Sequence, residues 1–409
     1  MLYPVILTRA DSTPQVKAIR FALLLPQDNT PQMPICQGFF LKFLKEIAIF
    51  IKGCYNKEHW SDYMIENVYG IPPVNEEEYL AAQRKQQEKR NLRGRCISTG
   101  LLCLISLFVF TALALILSGI ISGVFEGTPM LSNDKLSLIP DMMLNSLVSL
   151  IGFGVVAVVF CKATKTDLSE ILPSEKISFK KLAGVVAIGF TVCISANYIA
   201  QLFSIDLSIF GLETMYSDME TGSTSLLEHI TYIVSVSFVP AVTEELVYRG
   251  CVMGRLRKFG DGFALLTSAL LFGMMHGNFM QAPFAFVVGL AVGWSVIYTN
   301  SIFPAMIIHG LNNFMSVIAD ILYENFEIAG IDTFYVDFAY MAIYTAVFIL
   351  AIFAVYKLSK NDKSFCKLKK YEGELSFKER IRTFFTSATV IIFLAITVLE
   401  CLATLKVIE

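Results

Sequence analysis

The chain has 409 residues, of which 55% are hydrophobic and 17% charged, with a formal net charge of −2. Soluble domains are less apolar and nearer 25% charged, so this composition excludes a string of soluble domains and points to one multi-span membrane domain. The net charge carries no signal for nucleic acid, and no nucleic-acid partner is expected.

Residues 1–95 read as an N-terminal extension. The stretch "GFFLKFLKEIAIFIKG" mixes apolar residues with Lys42, Lys45, Glu46 and Lys52, which suits either a segment lying in the membrane interface or a disordered extension. "YGIPPVNEEEYLAAQRKQQEKR" reads as a turn and then a polar helix running to the first span. No secretory signal is evident: "FALLLP" is too short for an apolar core and Pro26 interrupts it. Met64 offers a second start, because the residues between it and the first span are a sufficient cytoplasmic lead-in.

From residue 96 to residue 409 the chain reads as a transmembrane domain. A spanning helix needs about 20 mostly apolar residues. About nine runs meet this, at roughly 97–123, 142–161, 182–204, 229–251, 262–280, 284–300, 303–322, 336–357 and 384–405. The expected fold is therefore all-α, a polytopic helix bundle. Lys and Arg are dense before the first run ("RKQQEKRNLRGR") and after the second, fourth and eighth, whereas the intervening loops are acidic or poor in basic residues. By the positive-inside rule this alternation predicts a cytoplasmic N-terminus in a multi-pass plasma-membrane protein. The 9 cysteines form no CxxC pair, and several lie inside apolar runs, so neither a disulfide framework nor a cysteine metal site is expected.

Ionisable groups inside spans are costly and are functional candidates by default. The fourth run carries Glu244, Glu245 and Arg249. Glu245 and Arg249 are four apart and share a helix face, where pairing lowers the cost of burying both. Glu244 is turned about 100° away, free to face a cavity. A structural Glu–Arg pair with a spare glutamate explains this stretch equally well by itself. The fifth run carries Phe272 and His276 one turn apart, with Gly273 and Gly277 permitting close helix approach. A packing histidine bonded to a backbone carbonyl is the bland alternative there. The seventh run opens on Pro304 and carries His309 and Asn313 one turn apart, with Asn312 turned away. Inter-helix hydrogen bonding would account for that pair too.

Together, a carboxylate, two imidazoles and a carboxamide make a hydrolytic set. Glu takes a proton from water, His shares that task or donates to the leaving amine, and His and Asn stabilise an oxyanion. Glu244, His276 and His309 are also the ligand types for zinc, with a fourth position for water, although no HExxH is present. Depth is the weak point. If the fourth helix continues to Arg257, Glu244 lies some 20 Å from its end and His276 at a similar depth, whereas His309 is only about 9 Å from Phe303. Either the turn before Pro304 dips inward or the cavity is conical.

"EELVYR" at 244–249, "FGMMH" at 272–276 and "HGLNN" at 309–313 resemble the EExxxR, FxxxH and HxxxN motifs of the CPBP family of intramembrane proteases, also called the Abi or type II CAAX protease family. The likeness covers about 225–325 well and the flanking spans only as hydropathy. It implies that Glu244 and His276 activate water, and that His309 and Asn313 stabilise the oxyanion or complete a metal site. Glu245 and Arg249 would hold the fourth helix in shape. The substrate would be a membrane-associated peptide or protein, cut in the bilayer by an intramembrane endopeptidase of metallo or glutamate type. A non-catalytic bacteriocin self-immunity or binding protein on the same scaffold is the alternative. A proton-coupled transporter is a third reading, and it should show a repeat that the sequence lacks.

Overall fold

The computed structural model describes residues 76–124, 131–132, 135–167, 171–209, 212–214 and 225–407. The expectations for residues 1–75 lie outside these. The chain divides into two units, one holding Leu92–Glu409 and the other Ser12–Asn91. Of the second, residues 76–91 are described, and they are helical.

The protein is all-helical in architecture, as its apolar runs require. In chain order the helices are α1 Glu76–Val124, α2 Leu138–Ala163, α3 Phe179–Ile209, α4 Leu226–Phe259, α5 Asp261–Met274, α6 Gln281–Thr299, α7 Phe303–Ile328, α8 Phe334–Asn361, α9 Phe377–Phe385 and α10 Ala388–Ala403. Strand structure among the described residues is confined to two short antiparallel pairings, Leu131–Ser132 with Lys135–Leu136 and Leu212–Thr214 with Leu405–Val407.

Every apolar run named from the sequence is helical, but the number of spans is smaller than nine. Among the described residues seven helices are long and apolar enough to cross a membrane, and the α9–α10 pair, bent by 66°, makes an eighth if it acts as one span. The exception is α5. It has 14 residues, about 21 Å at 1.5 Å per residue, short of a hydrocarbon core of about 30 Å. The run expected to reach residue 280 stops at Met274 because Gly277 takes φ +56°, a left-handed conformation that ends a helix. Asn278 then opens α6, its side-chain oxygen accepting from the backbone N–H of Met280 at 2.7 Å. Thus α5 and α6 form a hairpin. Gly273 allows the two arms to close: a Cβ there would lie 2.7 Å from the Ala282 carbonyl oxygen. Gly273→Val is expected to lower the denaturation midpoint in detergent, through overpacking worth about 1–3 kcal/mol.

The base of the hairpin is tied down by polar contacts. Arg257 pairs with Asp261 at 2.9 Å, and the other Asp261 oxygen accepts from the Lys369 backbone N–H at 2.9 Å. Asn300, at the end of α6, donates to Glu175 at 2.7 Å. At the same end Asp362 accepts from Lys181 at 3.1 Å and from Tyr298 at 2.8 Å, joining α8 to α3 and α6. The Ser364 hydroxyl and backbone N–H, with these two donors, hold the Asp362 carboxyl well below the usual carboxylate range.

The turn before Pro304 is held by backbone bonds. The turn before α7 bonds to the segment before α3: Ile302 N–H donates to the Pro173 carbonyl at 2.8 Å, and Ser301 bridges Ser174. That segment sits deep against α4, since a Cβ on Gly250 would fall 2.8 Å from Ile171. The same turn also meets the end of α4, where Arg257 Nη1 donates to Asn300 Oδ1 at 3.4 Å, and His309 nonetheless reaches the level of the glutamates, as its bond to Glu245 at 2.9 Å shows.

Two helices carry widened turns. Leu150–Val155 in α2 and Val234–Phe238 and Leu246–Met253 in α4 are π-helical. Pro240 explains the first α4 stretch. It has no N–H, so the Val236 carbonyl four residues earlier loses its α-helical donor.

Candidate active site

Helix α4 delivers three charged side chains to the centre of the bundle. Glu245 and Arg249 are fully buried and lie 3.1 Å apart, Oε1 to Nη1. Burying two charges is costly unless they are paired and further bonded. Arg249 is both: Nη2 donates to the Gly289 carbonyl of α6 at 3.3 Å, and the guanidinium stacks on the Phe272 ring of α5 at 4.2 Å. One arginine thereby locks α4 to both arms of the hairpin.

Glu245 does more than pair with Arg249. Its Oε1 accepts from His309 Nδ1 of α7 at 2.9 Å. A carboxylate only accepts, so Nδ1 carries a hydrogen and Nε2 is the ring nitrogen left to face the site. That Nε2 faces the other glutamate, 4.0 Å from Glu244 Oε2. Neither His309 Nε2 nor Glu244 Oε2 has a hydrogen-bond partner, although both atoms are buried. Glu244 keeps 12% of its side chain exposed, against none for Glu245. Of the adjacent glutamates, Glu244 is therefore the one that opens onto free space.

His276 lies in the turn after α5, half-buried, with Nδ1 donating to the Phe272 carbonyl at 2.9 Å. No hydrogen bond or ion pair joins it to Glu244. Phe272 separates the two imidazoles, meeting His276 edge-on at 5.2 Å and His309 edge-on at 5.7 Å between ring centres. So Phe272 contacts both histidines and Arg249, which explains a large aromatic at that position better than its spacing from His276 does.

Asn313 is buried, and its Nδ2 donates at 3.2 Å to the Val236 carbonyl that Pro240 leaves without a helical donor. Asn312, expected to turn away, is also buried and donates to Asn313 Oδ1 at 3.3 Å. The carboxamide of Asn313 is thus engaged on its oxygen and on one of its two N–H groups.

Zinc finds no three-ligand set here. His309 Nδ1 is committed to Glu245, leaving Glu244 and His309 Nε2 as a two-donor pair. Among the described residues no group of three His, Cys, Asp or Glu is placed to hold a metal ion. Glu244, His276 and His309 therefore do not converge as ligands.

Sequence reasoning brought Glu244, Glu245, Arg249, Phe272, His276, His309 and Asn313 to one region, and the structure gathers them there. It missed the Glu245–His309 bond, for which a sequence holds no signal, since the partners are 64 positions apart on separate helices. It also passed over Asn145, a buried carboxamide in the apolar run of α2 whose Nδ2 has no partner.

Residues 226–315 match the family model described as Type II CAAX prenyl endopeptidase Rce1-like. The matched segment begins at the first residue of α4 and takes in all three motifs, which supports a place in the CPBP, CAAX-protease-like family. No curated protein and no solved structure matches the chain.

Proposed function

We propose that this CAAX-protease-like membrane protein is an intramembrane endopeptidase that hydrolyses a peptide bond with a water held between Glu244 and His309. The observation that carries the reading is the facing pair of unpartnered atoms, Glu244 Oε2 and His309 Nε2, 4.0 Å apart. A water can bond to both across that gap. It would donate one hydrogen to each and keep its lone pairs for an incoming carbonyl carbon. Glu244 takes the proton as the water oxygen bonds to that carbon, and returns it to the amide nitrogen as the C–N bond breaks. Glu245 holds His309 in the tautomer that leaves Nε2 bare. His276, with Nδ1–H committed to Phe272, offers Nε2 as an acceptor for a substrate N–H.

A membrane-associated substrate fits where Glu244 and His309 sit, on helices long and apolar enough to span. The basic loops favour a cytoplasmic face at the Arg257 end and a plasma-membrane location.

The test uses the purified full chain in liposomes with a library of membrane-tethered peptides. The expected result is internal cleavage that incorporates one oxygen from labelled water at the new carboxyl end. Chelator is expected to leave the rate unchanged, since the glutamate–histidine pair needs no third ligand. No cleavage of any library member would count against the reading.

A further inference from the structure

An amide hydrolase must stabilise the oxyanion that forms as water adds to the carbonyl. The residue expected for this, Asn313, spends one of its two N–H groups on the Val236 carbonyl, which leaves it at most one donor for an oxyanion. Another donor is at hand. Asn145 is 3% exposed, and its Nδ2 is buried without a hydrogen-bond partner. An orphan amide donor is costly in any interior and more so in a bilayer, so it needs a reason.

Its position supplies one. Helices α2 and α4 run parallel, and three contacts set their register. Met142 clusters with Tyr232 and Val236 of α4 and with Val317 and Ile321 of α7. Ser149 Oγ lies 3.0 Å from Thr243 Oγ1, and Cys161 Sγ lies 3.4 Å from Cys251 Sγ. Asn145 falls between the first two contacts, about one turn from each along the same face of α2. That places it on the α2–α4 interface, one turn from the cluster in which Tyr232 and Val236 of α4 join Val317 and Ile321 of α7. Its level lies between Asn313, which touches Val236, and Glu244, which is next to Thr243 in the chain. On α4 the Ser237 Oγ, also buried and unpartnered, lies in the same layer.

We infer that Asn145 is a catalytic residue of this site, whose Nδ2–H donates to the carbonyl oxygen of the scissile bond as it becomes an oxyanion. Its retention as an orphan is then the free state of a donor that is satisfied only when substrate adds. The inference rests on the proteolytic reading of the Glu244–His309 pair and extends the site beyond the matched segment, onto α2.

The experiment compares wild type, Asn145→Leu and Asn145→Asp in the liposome assay, with kcat and KM measured separately and the denaturation midpoint read in detergent. Leucine fills similar volume and removes the orphan, and the aspartate keeps the shape but replaces the donor by an acceptor. Both are expected to lose about a hundredfold in kcat with KM little changed. The midpoint of Asn145→Leu is expected to be no lower than that of wild type. Wild-type kcat in Asn145→Leu overturns the inference, whatever its midpoint, because Asn145 would then only hold a structural water or pack. A fall in kcat that tracks a fall in midpoint also overturns it, as a folding effect. If wild type cleaves nothing, the proteolytic reading fails and this inference fails with it, an outcome distinct from an active wild type with an unimpaired variant.

Discussion

Glu244→Gln is expected to abolish hydrolysis and leave the fold intact. Glutamine has the same shape, and the buried Glu244 Oε2 has no hydrogen bond to lose. What disappears is the ability to take a proton from water. A positioned general base accounts for about 10²–10⁴ in rate, and the adjacent Glu245 is no substitute in this mechanism, because its side chain is fully buried and its Oε1 is held by Arg249 and His309. The measurement is the initial rate of cleavage of a membrane-tethered peptide, with the denaturation midpoint of the same preparation as the control for folding. An active Glu244→Gln enzyme would remove the mechanism, since the water would then have no base. An inactive but unfolded protein would instead assign Glu244 to structure.

Much of the scaffold behind that prediction is legible in the sequence. Apolar runs of about 20 residues have no low-energy fate but a membrane or a core, so the helices are where hydropathy puts them. The misreadings are local and have physical causes. The run at 262–280 looks continuous because "HGN" is flanked by apolar residues on both sides, yet Gly277 accepts a left-handed backbone and Asn278 caps the next helix. The last run, 384–405, hides a 66° bend after Phe385, where the α9 and α10 helices meet. Gly and Asn in the first case, and Thr386 with Ser387 in the second, are the visible punctuation.

The site was legible by type and less so by pairing. Spacing of four along one helix identifies Glu245 with Arg249, because that contact is set by helix geometry alone. The partner of His309 is set by how α7 docks on α4, with the turn at 300–302 held by residues 173–175. No periodicity encodes such a docking. Likewise the link from Pro240 through Val236 to Asn313 joins a missing N–H on one helix to a side chain on another. Each half is visible in the sequence and the join is not. The pairing that emerges moves the water from between Glu244 and His276, as the resemblance implies, to between Glu244 and His309 in the proposed mechanism.

Arg249→Met tests the other half of the site and is expected to be the most destabilising single change in it. Arg249 is fully buried, and it balances Glu245, caps the Gly289 carbonyl and covers Phe272. Removing one member of a buried pair leaves an uncompensated charge, at a cost of about 3–5 kcal/mol. A desolvated cation–π contact adds about 2 kcal/mol. The expected result is a large drop in the denaturation midpoint in detergent, with little activity left. The double variant Arg249→Met with Glu245→Gln separates the causes. It removes the stranded charge, and a buried pair replaced by neutral groups is often no less stable, so most of the midpoint should return. Activity should not return with it. A carboxamide can present either N–H or oxygen to His309 Nδ1, so the tautomer that leaves Nε2 bare toward Glu244 is no longer enforced. Equal midpoints in the single and double variants would show that the charge on Glu245 was never the liability, and that Arg249 acts through its packing on Phe272 instead. Recovery of the midpoint without recovery of rate would assign Arg249 to folding and the Glu245 carboxylate to both folding and chemistry. The adjacent glutamates would then differ in kind: one keeps its charge to hold a histidine, and the other keeps its basicity to use a water.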